Sequence, residues 1–138
     1  MTLLNSSIFG RAGEENARSF LREKGWTIIA ENYGTSGGEL DIVAYRRGTL
    51  VYAEVKARSG SKFGAPCDAV DAVKRQRLKN AAEGFMREQM SGGRIPVYSR
   101  LLRRKIYRRV KTRRFDIIEV YMTKQLVLER INIIENAF

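Results

Sequence analysis

Two apolar runs flank a tight turn in the stretch GELDIVAYRRGTLVYAEVKAR, and no other part of the chain limits the fold as strongly. Apolar and charged residues alternate at period two, as in strands with one face against a core. Arg47-Gly48 suits a two-residue hairpin turn, since such turns need left-handed backbone angles that glycine takes freely. That turn sets the register. Tyr45 faces Leu50, Val43 faces Tyr52, Asp41 faces Glu54, and Glu39 faces Lys56. A four-residue loop gives the same pairing, whereas a three-residue loop shifts it by one and breaks the match.

Asp41 opposite Glu54 is the informative pair. Like charges facing each other across strands destabilise them. At roughly 5 Å and an effective dielectric of about 20, the repulsion is about 3 kcal/mol, large beside a typical stability of about 5–15 kcal/mol. A divalent cation would turn repulsion into coordination, and hard carboxylate oxygens completed by water and phosphate suit Mg²⁺ or Mn²⁺. The competing reading is a surface ladder of ion pairs, Glu39 with Lys56 and Asp41 with an arginine.

Arg11 to Lys24 reads as a helix, with Ala17 and Leu21 on its apolar stripe and Gly25 just past its end. Glu14 lies at the edge of that stripe, where it could approach the hairpin's charged end as a third acid, or simply complement the helix dipole. Trp26 to Asn32 reads as a strand and the following residues to Gly38 as a loop. Asp68 to Met90 reads as a long helix with Val70, Val73, Leu78, Ala81, Phe85 and Met90 on its buried stripe. Lys74 borders that stripe and is the cation of this helix best placed to face the site. Leu101 to Lys111 reads as helical. Phe115 to Tyr121 and Leu126 to Asn132 complete the pattern as strands.

The 138 residues fit one domain, 1–138. No apolar run approaches the length of a membrane span, and the opening residues lack a secretion-signal pattern, so a cytoplasmic protein is expected. There is no histidine and one cysteine, Cys67, which reads as structural. Disulfides, the usual zinc sites and histidine-based catalysis are thereby excluded. Catalysis must rest on carboxylates, lysine, hydroxyls, the lone thiol or an oxygen-bound metal.

The net charge of +11 is concentrated in one place. Ten basic residues and no acid lie between Arg94 and Arg114, interleaved with Tyr98, Leu101, Leu102 and Tyr107. Such a run is a solvated loop, a contact for an anionic membrane, or an electrostatic footprint for nucleic acid; the last is favoured. It forms a basic insert at about 91–112.

An acid in the first helix, Asp41 on one strand and Glu54-Val55-Lys56 on the next together resemble the PD-(D/E)XK nuclease superfamily. Gly10 to Ala17 (G-x-x-G-E-x-x-A), Gly38 to Val43 (GELDIV), Glu54 to Arg58 (EVKAR), Phe63-Gly64, Lys74 with Leu78, and Arg114 to Ile118 (RFDII) resemble one subgroup, the bacterial UPF0102 (YraN-like) proteins. These are akin to Holliday-junction resolvases. The resemblance covers about residues 10 to 90 and 113 to 135. It implies an α/β fold with a restriction-endonuclease-like αβββαβ core, a mixed sheet flanked by helices. It also implies a Mg²⁺- or Mn²⁺-dependent endonuclease or junction-resolving enzyme. On that reading Asp41, Glu54, the Val55 carbonyl and Glu14 hold the metal. Lys56 orients the attacking water, and Glu39 sits outside as partner or outer ligand. Lys74, Arg103, Arg104, Arg108 and Arg109 contact nucleic acid, DNA in the first instance, with no membrane partner and with homodimerisation left open. The alternative is a non-catalytic nucleic-acid-binding protein on the same fold.

Overall fold

A computed structural model describes residues 3–59 and 72–138. Phe63-Gly64, Cys67 and the expected helix start at Asp68 to Asp71 lie outside the described residues. The hairpin register forms as its turn requires. Strands β2 (Gly38–Arg46) and β3 (Thr49–Ser59) pair antiparallel, with Arg46↔Thr49, Tyr45↔Leu50, Val43↔Tyr52 and Ile42↔Ala53 opposed. Arg47 and Gly48 carry φ of 46° and 87°, the two left-handed positions of a type I′ turn.

Around this hairpin the chain builds a five-stranded mixed sheet, a mixed α/β architecture with one helix on each face. Strand β1 (Thr27–Thr35) lies outside β2, while β6 (Thr112–Met122) and β7 (Leu128–Ile134) lie beyond β3, giving the order β1-β2-β3-β6-β7. Only β3 and β6 run parallel, so the segment between them must cross over, and helix α2 (Ala72–Gln89) lies in that crossover. Helix α1 (Leu3–Glu23) covers the face of Ile42, Ala44, Val51, Ala53, Ile118 and Val120 with Ala17 and Leu21. Helix α2 covers the opposite face, packing Leu78, Ala81 and Phe85 on Val43, Leu50, Tyr52 and Ile117.

Several boundaries differ from the sequence reading for identifiable reasons. Helix α1 begins at Leu3 rather than Arg11, its apolar side continued by Phe9 and Ala12. It ends as expected at Gly25 (φ 90°), where Trp26 N–H donates to Leu21 O at 3.0 Å. Strand β1 continues past Asn32 to Thr35, because its pairing with β2 keeps one register from Ala30 onward despite the φ of 46° at Asn32. Val73 is 64% exposed rather than buried on the helix stripe. The larger correction concerns the insert. Leu101 to Lys111 is not helical. Strands β4 (Arg94–Ser99) and β5 (Arg104–Arg109) form a separate two-stranded ribbon. Ile95 and Val97 anchor it in the α2 core cluster, two residues apart as in a strand. Only Pro96 lies between them, and in the sequence that proline reads as part of the break after the preceding helix, which hides the strand period.

Glycine governs how closely α1 approaches the sheet. A Cβ on Gly13 would lie 2.8 Å from the Cβ of Ala57 on β3. In an isolated helix, Gly→Ala stabilises by about 1 kcal/mol. Here the overlap should win, so Gly13→Ala is expected to destabilise the protein by about 1–3 kcal/mol. Ala57→Gly in the same chain should recover much of that loss. Thermal or urea unfolding of the three variants checks this; a Gly13→Ala protein more stable than the native one would show that propensity, not close packing, decides the position.

Candidate functional site

The β2–β3 ladder ends at Ile42↔Ala53, one pair before the two acids. Beyond it Asp41 replaces backbone pairing with its side chain: Val55 N–H donates to Asp41 Oδ2 at 2.9 Å. Asp41 and Glu54 line one open cleft of about 490 Å³ with Glu39, Val73, Lys74 and Arg77. Beneath the acids, Leu40, Tyr52, Leu78, Phe115 and Phe138 form an apolar floor with no room for water.

Glycine again sets the geometry. Gly38 (φ 147°) abuts the Arg77 carbonyl of α2, where a Cβ would approach that oxygen to 3.2 Å. A Cβ on Gly37 would meet Asn80 at 2.8 Å. The start of β2 therefore touches α2 directly, and the first turns of that helix overhang the acids. Lys74 Nζ lies 2.7 Å from Glu54 Oε1. The ion-pair ladder within the hairpin does not form among the described residues. Glu54 pairs across to the helix, Asp41 has no cation within ion-pair distance among the described residues, and Glu39 lies exposed opposite Gly34 of β1.

The electrostatics follow from this placement. Burial over the apolar floor, and next the charge of Glu54, push the Asp41 carboxyl up to about 7, against the Val55 hydrogen bond. Glu14 is also raised, first by burial, with Glu39 and Glu54 adding to the effect against Arg18 and Asn32. The amide nitrogen of Asn32, oriented to donate, sits 3.2 Å from both Glu14 oxygens. Glu14 thus feels the same acid group from the α1 side, while Glu15 is exposed.

Lys56 follows Glu54 on β3 and is half-buried, but it does not line the cleft; it lies beside Glu119 of β6. That neighbour was not singled out in the sequence. Glu119 is buried, accepts from Asn132 Nδ2 at 2.8 Å and approaches Arg58 Nε at 3.9 Å. Asn32 was missed as well, because Asn-Tyr-Gly reads as a turn. In the RFDII segment the buried Asp116 accepts from Arg114 Nε at 3.0 Å and from the Asn136 backbone at 3.0 Å, tying β6 to the chain end. The expected nucleic-acid residues divide: Lys74 belongs to the acid cleft, Arg103 (φ 54°) to the β4–β5 turn, and Arg104, Arg108 and Arg109 are exposed on β5.

The donor set suits a hard cation. Two carboxylates from adjacent strands share one cleft, and a positive charge there relieves the repulsion that raises Asp41. Among the described residues no three acids stand close enough to hold an ion alone. Mg²⁺ commonly takes one or two carboxylates and completes its shell with waters and substrate phosphate.

The profile described as Uncharacterised protein family UPF0102 matches residues 13–120. A UPF0102 protein of Caldicellulosiruptor saccharolyticus is 36% identical over 135 residues, covering 98% of this chain and 100% of the relative. One of Caldanaerobacter subterraneus is 35% identical over 139 residues, covering 100% of both. One of Solibacter usitatus is 48% identical over 80 residues, or 56% of this chain and 61% of the relative. The matched span runs from the glycine that seats α1 on the sheet to the buried end of β6, and the chain belongs to the UPF0102 family, YraN-like members of the restriction-endonuclease-like superfamily.

Proposed function

We propose that this protein is a metal-dependent endonuclease that hydrolyses phosphodiester bonds in DNA in the cytoplasm. The observation that carries the reading is the Asp41–Glu54 pair in one cleft, with a Lys74 ammonium 2.7 Å from Glu54. Asp41, Glu54 and the Val55 carbonyl would hold Mg²⁺ or Mn²⁺, with Glu14 reaching the ion only through water from the α1 side. A bound cation of this kind polarises the phosphoryl group and generates a nucleophilic hydroxide from water. Within the chain, the Val55 N–H fixes Asp41 Oδ2, which leaves Oδ1 as the oxygen that would take the ion. Lys74 offsets the negative charge that would otherwise repel a phosphodiester. Lys56, on the Glu54 face of β3 but outside the cleft, would extend its Nζ from beside Glu119 to the phosphate oxygen on which charge develops, with Glu39 at the rim. The exposed cations of β5 would contact the backbone of the nucleic acid, supplying affinity that falls with salt.

A non-catalytic nucleic-acid-binding protein on the same fold is the second reading. Lys74 favours it, since its ammonium already compensates Glu54 without any metal. Single-turnover cleavage of linear, flapped and four-way DNAs with Mg²⁺ or Mn²⁺ separates the two. The enzyme reading expects cleavage that falls to background in Asp41→Asn and Lys56→Ala while DNA binding persists. Changing Arg103, Arg104, Arg108 and Arg109 to Ala should instead weaken binding and lower the slope of log affinity against log salt by about 0.9 per lost contact on duplex. Binding without cleavage of any of these DNAs would establish the second reading.

The raised Asp41 carboxyl has a consequence for stability. Between the ordinary aspartate range and about 7, the unfolded chain has lost this proton while the folded chain keeps it. Without metal, stability should therefore fall as pH rises through that window and level off above it, a change of the order of 4 kcal/mol at most. Asp41→Asn keeps an acceptor for Val55 and removes the titration. It should melt higher than the native protein at pH 8 without metal and show a flatter dependence between pH 4 and 7. Parallel melting curves for the two proteins would contradict the assignment.

A further inference from the structure

The end of the sheet away from the acids is lined by cations. Two adjoining clefts of about 500 and 450 Å³ open between the start of β1, the β2–β3 turn and the β4 edge. Lys24, Arg47 and Arg108 line the first, and Arg22 and Arg100 the second; no carboxylate lines either. Among the described residues Lys24, Arg47, Arg100 and Arg108 have no acidic partner, and Arg22 reaches Glu31 only at 3.9 Å. Tyr98 lines both clefts and is 53% exposed, so an aromatic side chain borders both groups of cations. The β4–β5 register puts Tyr107, 59% exposed, on the same ribbon face, diagonal to Tyr98.

We infer that this double cleft holds a single-stranded segment of nucleic acid, its bases stacked on Tyr98 and its phosphates tracked by the cations on either side. The inference rests on the nucleic-acid reading above and names the form of substrate. The faces of a paired base inside a duplex are covered by its stacked neighbours, whereas an unpaired base offers a face to an exposed ring such as that of Tyr98. Each compartment has the size of a small-ligand pocket, about 300–1,000 Å³, suited to a nucleotide rather than to a lone phosphate. The strand from Asp41 to Arg46 separates this site from the acids by roughly 17 Å at about 3.3 Å per residue. The substrate is thus gripped at an unpaired segment while a distant phosphodiester reaches Asp41 and Glu54, which fits a flap or a junction better than continuous duplex.

The test measures binding of fluorescein-labelled oligothymidylate and of a duplex of equal length, by anisotropy across a salt series without metal. Tyr98→Ala should weaken binding to the single strand about 10-fold, leave its salt slope unchanged, and leave duplex binding unchanged. Tyr98→Phe should bind as the native protein does. Arg47→Ala with Arg108→Ala should instead lower the salt slope by about 0.7 per lost contact. Equal loss on both DNAs, or none, overturns the stacking site while leaving the nuclease reading standing. Competition by thymidine 5′-monophosphate as strong as by the oligomer overturns it in favour of a free nucleotide. Failure of the native protein to bind either DNA overturns both. Binding of single strands through Tyr98 in a protein that never cuts supports the site and removes only the catalysis.

Discussion

Asp41 and Glu54 repel each other over a floor that admits no water, and much of the molecule is arranged around that repulsion. The two-residue turn at Arg47-Gly48 leaves the strands no other register. The close contacts of Gly13 with Ala57, and of Gly37 and Gly38 with α2, bring the helices against the hairpin's acidic end from both sides. One helix contributes Glu14, which adds to the negative charge; the other contributes Lys74, which partly cancels it. The Val55 N–H, left over where the ladder ends, holds Asp41 in place. The register and the glycine contacts are backbone constraints, and they hold the elements that carry these charges close together. A buried polar cluster that is only partly compensated is costly for stability and is a common mark of a functional site.

How much of this could be read in advance depended on how local the cause was. The hairpin register was legible because four residues determine it. Gly25 was legible as a helix stop for the same reason. The ribbon of β4 and β5 was not, since its only core-facing signals are Ile95 and Val97 amid arginines, and Leu101-Leu102 in its turn imitates a helical stripe while being exposed. Val73 fits the helical period but lines the acid cleft instead of the core. Asn32 and Glu119 act through partners distant in sequence, Glu14 and Asn132, which no single-sequence pattern pairs. Gly13 showed itself as a motif letter, but its purpose, a helix seated directly on Ala57, required the packed structure.

On the proposed reading, the charge distribution would separate two tasks along the same strands. Acids gather where β2 begins and β3 passes its midpoint, and cations gather at the turn between them and on the ribbon beyond. A polyanion attracted by the net charge of +11 would meet the basic end first. The acid cleft, compensated by Lys74, would then receive the phosphodiester at lower electrostatic cost than two bare carboxylates impose.

Calorimetric titration of Mn²⁺ into the metal-free protein, run in buffers of different ionisation enthalpy, tests the central claim most directly. If the crowded carboxylates are a cation site, one Mn²⁺ should bind per chain. Binding at pH 7 should displace part of a proton from Asp41, the release should vanish at pH 9, and Asp41→Asn should lose both the binding and the release. Mn²⁺ binding that is absent, or that is unchanged in Asp41→Asn, would contradict it.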